Sequence, residues 1–387
     1  MGAYLVLRLL ERVLATDSGE PSEGLEWQTQ STMRFLQDLP SEGPEPAHLL
    51  GLVEAVALEP RQRRAVVRLS LIAYAFYLEQ EGRYEEALEV LSVAANTGAE
   101  RVGPSEMVSL GLQVARLNRH LARWDEAVRC YRLARALAES AGDARAVFLA
   151  RLGEANVRRG RGDLPGARED VEGIIRDAGS LQQIDVQARA YHDLAAVLDR
   201  QGRPHEAVLA GYRAFELYQD PLDRCRALGD LGVILRNLGC VDAARYAFET
   251  VARQSESWPV RLNAIIGLME LESAIGNELG FRRYAQIAGD AERQMAPSAA
   301  IDFHYNLGIG WARMGRLTRA KAELQTALGM AEAHRLHEWC FRVERVLLGI
   351  GECVAALAAE RGVEIAPPAE LGHVTEGLKR YAALSYA

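Results

Sequence analysis

The sequence predicts an all-α protein, a right-handed α-α superhelical solenoid of tandem helical hairpins. Three observations carry that expectation: a short phrase that recurs at a nearly constant step, two columns of small residues that keep register with it, and a low aromatic content of 7% in a chain rich in Ala and Leu. A chain of 387 residues also exceeds the ~250–300 residues that one hydrophobic core supports, so it divides or stacks units that touch only their neighbours.

The phrase EGRYEEA (81–87) returns as LARWDEA (121–127), RGDLPGA (161–167), QGRPHEA (201–207), LGCVDAA (238–244) and MGRLTRA (314–320). In the place between the last two, IGNELGF (275–281) carries Phe281 where the others end on Ala, and the steps run 40, 40, 40, 37, 37 and 39. Twelve residues before the closing position stand Ala75, Ala115, Ala155, Ala195, Gly232, Met269 and Gly308. Seven residues after it stand Ala94, Ala134, Ile174, Ala214, Val251, Ala288 and Ala327. Such columns place small residues where two helices cross, while Leu91, Tyr131, Val171 and Phe248 fill the space between the axes. Gly82, Gly162, Gly202, Gly239, Gly276 and Gly315 are expected to end each first helix in a left-handed conformation. Glu85, Glu86, Asp125, Glu126, Glu206 and Asp242 then favour the exposed N–H groups that open the second helix. Met269 and Phe281 put two large residues into unit six, which predicts wider packing and a bend there.

The segments LGDLGVILRNLGCVDAARYAFETV (228–251) and YNLGIGWARMGRLTRAKAELQTAL (305–328) resemble the tetratricopeptide repeat family, with its Leu-Gly…Gly…Ala…Phe/Leu…Ala signature. The resemblance covers roughly residues 68–335, about seven units, and departs from the family's 34-residue period. The extra residues are expected in longer helices or between units, as in 92–106. HEAT repeats also run ~40 residues but lack this Gly…Glu-Ala turn.

Three segments follow. Residues 1–66 read as an N-terminal helical cap or degenerate repeat, with helices near 3–15, 26–38 and 46–58, or else as a helical effector module. Residues 67–335 hold the repeats, and 336–387 hold C-terminal capping helices. One of these is a long helix over 336–362; after Pro367 and Pro368 a last amphipathic helix near 369–384 is expected to pack on repeat seven.

Net charge is −8, which argues against a nucleic-acid binder. Lys321 and Lys379 are the only lysines; the arginine bias fits recognition of carboxylates or phosphates by guanidinium, or a codon bias. Cys130, Cys225, Cys240, Cys340 and Cys353 form no CxxC pair and fit a reducing cytoplasm. Arg8, Glu11 and Arg12 interrupt the apolar N-terminus on one helix face, and no run approaches the ~20 residues of a membrane span. No metal or cofactor motif appears. His205–Glu206 and His337–Glu338 lack the second His of a zinc helix, and Gly308-Ile309-Gly310 follows no strand. The expectation is a cytoplasmic protein that is not an enzyme.

The family resemblance implies a concave groove lined by the first helix of each unit. By repeat position its candidate residues are Gln113, Arg116, Asn156, Arg159, His192, Asp193, Asp199, Arg226, Asp230, Val233, Arg236, Asn237, Asn263, Glu270, Tyr305, Asn306 and Arg313. The family's two-carboxylate clamp is not matched, since Leu152 stands where a Lys is needed and Asp193 replaces an Asn. Asn and Arg at such positions suit a peptide backbone or carboxylate. The expected function is a scaffold that binds a protein or short peptide in that groove. The alternative is a ligand-gated regulator, because the layout is similar to that of bacterial peptide-sensing regulators whose superhelix closes on a short peptide.

Overall fold

The computed structural model describes residues 2–16, 24–38, 45–95, 103–334, 336–359 and 371–384, and among them every regular element is a helix. The turn-rich stretches 17–23 and 39–44, residues 96–102 of the first inter-unit insertion, and Pro367 and Pro368 lie outside the described residues. The chain forms two compact bodies, Met1–Arg161 and Gly162–Ala387, a division that the periodicity does not mark.

The first body holds α1 (Gly2–Thr16), α2 (Leu25–Gln37) and α3 (Glu45–Glu54), followed by α4 (Pro60–Gln80), α5 (Tyr84–Ala95), α6 (Pro104–His120), α7 (Trp124–Ala141) and α8 (Ala144–Gly160). Its core runs without a break from Val6, Leu9, Leu10 and Val13 of α1 through Leu49 and Leu52 of α3 to Leu71, Tyr74 and Leu91 of the first hairpin. The N-terminal helices therefore share the core of the first repeat, while Arg8, Glu11 and Arg12 face solvent together.

The second body holds α9 (Leu164–Ser180), α10 (Ile184–Arg200), α11 (Pro204–Leu217), α12 (Pro221–Asn237), α13 (Val241–Gln254), α14 (Trp258–Ala274), α15 (Glu278–Gly289), α16 (Pro297–Arg313), α17 (Leu317–Ala333), α18 (His337–Ala359) and α19 (Gly372–Leu384). The long helix expected near 336–362 is α18, and the last amphipathic helix is α19.

Each hairpin turns as its glycine demands. Gly82 sits at φ 74° and Gly239 at φ 75°. Behind them the Arg83 N–H donates to Leu78 O at 2.8 Å and the Cys240 N–H to Leu235 O at 2.9 Å, the six-to-one bond of a Schellman cap. In the second repeat Ala122 holds the same conformation at φ 54°, which costs a residue with a Cβ about 1–2 kcal/mol. All three columns are buried in all seven repeats, as a stack of crossing helices requires. The varying period has one source in most of the array. First helices α6, α8, α10, α12, α14 and α16 are each 17 residues long. Second helices of 18 and 17 residues, α7 and α9, accompany the 40-residue steps, whereas α11 and α13, at 14 residues each, accompany the 37-residue steps.

A glycine of the next repeat accommodates Phe281, and a glycine of unit six accommodates Phe248 of the repeat before it. The Phe281 ring lies over Gly310 and the Phe248 ring over Gly267, both so close that a Cβ would overlap the ring. The two helices of unit six stay well packed. The looser junction comes one step later, where α15 meets α16 much less extensively than α13 meets α14. Phe281 stands at that junction, edge-on to Trp311 of α16 at 5.1 Å between ring centres.

The last helix departs from expectation. α19 packs on α13 and against α11, not on repeat seven. Leu371, Val374, Leu378 and Ala382 are spaced to form one apolar stripe, and all four are buried. The surface that matches this stripe lies two hairpins upstream.

Candidate functional site

Within each body, first helices carry side chains that reach the next first helix. In the first body, Arg68 of α4 grips Glu106 of α6 with bonds of 2.5 and 3.0 Å. One helix face further along, Arg116 of α6 reaches back to Glu79 of α4 at 2.5 and 2.7 Å and lies over the Phe76 ring. Glu79 is buried, so the guanidinium fork supplies the counter-charge that its burial requires. His120 stacks on Tyr84 nearby, and burial, then Arg119, pushes its pKa down to about 4, leaving it neutral. Asn156 and Arg159 are half-buried on α8.

Val66, Leu69 and Phe76 form an exposed apolar row on α4 that a signature-based search passes over, because none of them occupies a repeat column.

The second body carries the longer series. Arg189 of α10 bonds Asp223 of α12 at 2.8 Å, and His192 of α10 meets Asp230 of α12 at 2.8 Å with the Tyr218 hydroxyl 3.4 Å from its other nitrogen. Arg236 of α12 pairs with Glu270 of α14 and donates to Asn237 at 3.1 Å. Arg313 of α16 donates to the Ser273 hydroxyl of α14 at 2.9 Å. Tyr305 of α16 packs edge-on against Trp339 of α18, and Arg342 of α18 lies over both rings at 5.2 and 4.4 Å.

Spacing explains the arrangement. Arg226, Asp230, Val233 and Asn237 recur every three or four residues, form one helical face, and are all exposed. Asn263 of α14 is also exposed, whereas Asp193, Asp199, Glu270, Tyr305 and Arg313 are partly exposed.

Two expected groove residues are withdrawn from this face. Gln113 and Asn306 are buried; at the same register Gly153 of α8 lies under the Tyr131 ring and Gly267 of α14 under the Phe248 ring, whereas Asp230 is exposed and Asp193 partly exposed. Asn306 is satisfied by the Asp302 carbonyl and carboxylate, each at 3.0 Å. Among the described residues the amide of Gln113 has no hydrogen-bond partner.

Asp302 is the member of this face that the sequence reading missed. Burial pushes its pKa up to about 6 and the Glu270 carboxylate pushes in the same direction, while Arg342, Arg236 and the Asn306 amide oppose. The signal for it was present in the spacing: Asp302 lies three and four residues before Tyr305 and Asn306.

Among the described residues no three His, Cys, Asp or Glu side chains converge as a metal site, and no helix is long and apolar enough to cross a membrane. The charged groups of this face are arranged in pairs that join one hairpin to the next.

No family model matches the sequence, and no curated protein matches it. Solved structures do resemble it. The Rap conjugation gene regulator of the plasmid pLS20, in complex with the Phr* peptide, is 12% identical, with 94% of this chain and 99% of that chain covered at a TM-score of 0.56. The apo form of the quorum sensor NprR from B. thuringiensis is 12% identical, with 84% of this chain and 97% of that chain covered at 0.54. A Rap protein complexed with Competence and Sporulation Factor is 13% identical, with 92% and 99% covered at 0.50. At such identities the likeness is one of fold, and with the buried columns and glycine turns it establishes that this chain has the tetratricopeptide-type helical-repeat fold.

Proposed function

We propose that the chain binds a protein or short peptide along the first-helix face of α10, α12, α14 and α16, and that it has no catalytic role. The observation that carries this reading is the series of interhelix pairs, Arg189–Asp223, His192–Asp230 and Arg236–Glu270, that holds polar side chains in place beside exposed Asn237 and Asn263. Side chains ordered before binding cost a ligand less entropy. Amide groups such as Asn263 hydrogen-bond an extended backbone through both donor and acceptor.

A second reading, a ligand-gated regulator, is favoured by the likeness to peptide-complexed Rap structures and to the quorum sensor NprR. Each pair on the face bridges two hairpins, so a ligand group that competes for Arg236 or Asp230 changes a bond between repeats. Ligand affinity then depends on repeat spacing, which is the condition for a population shift. A cytoplasmic location accords with four free cysteine thiols at Cys130, Cys225, Cys240 and Cys340.

The test is a thermal-shift screen of short peptides followed by calorimetric titration on wild type, Asn263→Ala and Arg236→Ala. The expected result is a hit whose affinity falls about tenfold or more in either variant, the worth of one hydrogen bond to a charged or prepositioned group. Hits that bind both variants as tightly as wild type refute this surface. Contraction in small-angle scattering on binding supports gating, and binding at unchanged dimensions supports a plain scaffold.

A further inference from the structure

The second helices of a repeat stack bury one stripe each, and α9 and α17 follow that rule. α9 buries Ala167, Val171, Ile174 and Ala178, and α17 buries Ala320, Leu324, Ala327 and Ala331, every one a column position or one turn from it. α11 and α13 break the rule. α11 also buries Val208 and Phe215, and α13 also buries Ala243, Ala247 and Thr250. These residues form a second, largely apolar stripe; at the corresponding positions α17 carries Lys321, Arg319, Glu323 and Thr326, with Leu328 in the place of Phe215.

α19 is what covers this stripe. Tyr381 sets its ring edge-on to Phe215 at 4.9 Å, its hydroxyl donates to Gln254 at 3.2 Å, and Arg224 lies over both rings at 5.4 and 5.8 Å. His373 meets Tyr212 edge-on at 6.2 Å. Gly377 passes so close to Tyr212 that an added Cβ would fall 2.0 Å from its hydroxyl oxygen. The fit is thus specific on both sides, with an apolar stripe, an aromatic pair and a glycine at the point of closest approach.

Its topology has a consequence. Every other extensive helix contact in the second body joins helices of the same or adjacent hairpins, whereas α19 follows repeat seven and seats on repeats four and five. In a nearest-neighbour stack the end repeats open first and independently. With α19 seated, α14–α18 lie inside a closed loop of chain. Opening them then either strands a long loop between fixed ends, an entropy cost that grows with the logarithm of its length, or expels α19 and exposes the second stripe to water. We infer that α19 is a clasp, making the opening of repeats six and seven conditional on its release from α11 and α13.

Hydrogen exchange on the full-length protein tests this. In Gly377→Val and in Leu378→Asp, amide exchange should rise in α11 and α13 and also, by about tenfold or more, throughout α14–α18, while α9 and α10 keep wild-type rates. Tyr212→Ala added to Gly377→Val makes room for the new side chain and should return α14–α18 towards wild type. A synthetic peptide of residues 371–384 added to Gly377→Val should restore protection in α11 and α13 but leave α14–α18 fast, because it is not tethered. Unchanged exchange in α14–α18 in both variants overturns the inference, as does a peptide that restores every segment alike; either result makes α19 a local cover.

Discussion

Gly310→Ala probes how a phenylalanine came to occupy a column that six other repeats give to alanine. An ideal Cβ on residue 310 would lie 2.2 Å from Cε2, 2.6 Å from Cζ and 3.1 Å from Cδ2 of Phe281. Carbon atoms rest about 3.5–4.0 Å apart, so the ring must retreat by more than an ångström. It has little room, being fully buried and set against Trp311, whose own ring is flanked by Arg282 at 5.6 Å and Arg319 at 5.1 Å. Overpacking of this kind costs about 1–3 kcal/mol. For a body of this size, 2 kcal/mol corresponds to a fall in Tm of about 4–8 °C. Urea unfolding followed by circular dichroism and tryptophan fluorescence measures it. Phe281→Ala alone should cost about 3–5 kcal/mol, and adding Gly310→Ala to that variant should cost little more, because the obstructing ring is gone. A double-mutant cycle should therefore show about 1–3 kcal/mol of coupling. A Gly310→Ala penalty below about 0.5 kcal/mol, or strict additivity, refutes the account of unit six.

Ala122→Gly should stabilise the protein by about 0.5 kcal/mol, because relief of the left-handed strain at φ 54° outweighs the added chain entropy; the denaturant midpoint measures it. Arg116→Ala should destabilise by about 2–3 kcal/mol, since it strands the buried Glu79 carboxylate, and Arg116→Ala with Glu79→Gln should recover part of that loss. Asp302→Asn should stabilise at pH 7 and change little at pH 4. The raised pKa of Asp302 means that the penalty for ionising it beside Glu270, between Arg236 and Arg342, is absent below the unfolded carboxylate range and complete above about pH 6. The difference between the two pH values should be on the order of 2–3 kcal/mol, read from paired urea titrations.

The polar face of the second body and the clasp on its second helices are separate devices in the same stretch of repeats. The first leaves Asn237, Asn263 and Asp230 exposed, and the second seats α19, which follows repeat seven, on α11 and α13. Affinity for a peptide and resistance to opening can therefore be measured apart, with Asn263→Ala acting on one and Gly377→Val on the other.

By itself the sequence determined the helical class, the seven hairpins, the three buried columns and the position of each turn. These are local or periodic properties: Gly239 makes its turn because of its own backbone freedom, and Ala244 is buried because the period of its helix places it inward. It also named Arg236, Asp230 and Asn263 as groove residues by repeat position, and all three are at least partly exposed. Only the tertiary structure decided the rest. Gln113 and Asn306 share a helix face with accessible neighbours and are nevertheless covered, because a neighbouring hairpin sets their exposure. Asp302 draws its raised pKa from burial and from Glu270 of α14, against the opposing pull of Arg236 of α12 and Arg342 of α18, a sum that no single helix contains. The place of α19 depends on Val208, Phe215, Ala243 and Ala247, more than a hundred residues before it, and a periodic pattern carries no information about which distant stripe will meet which.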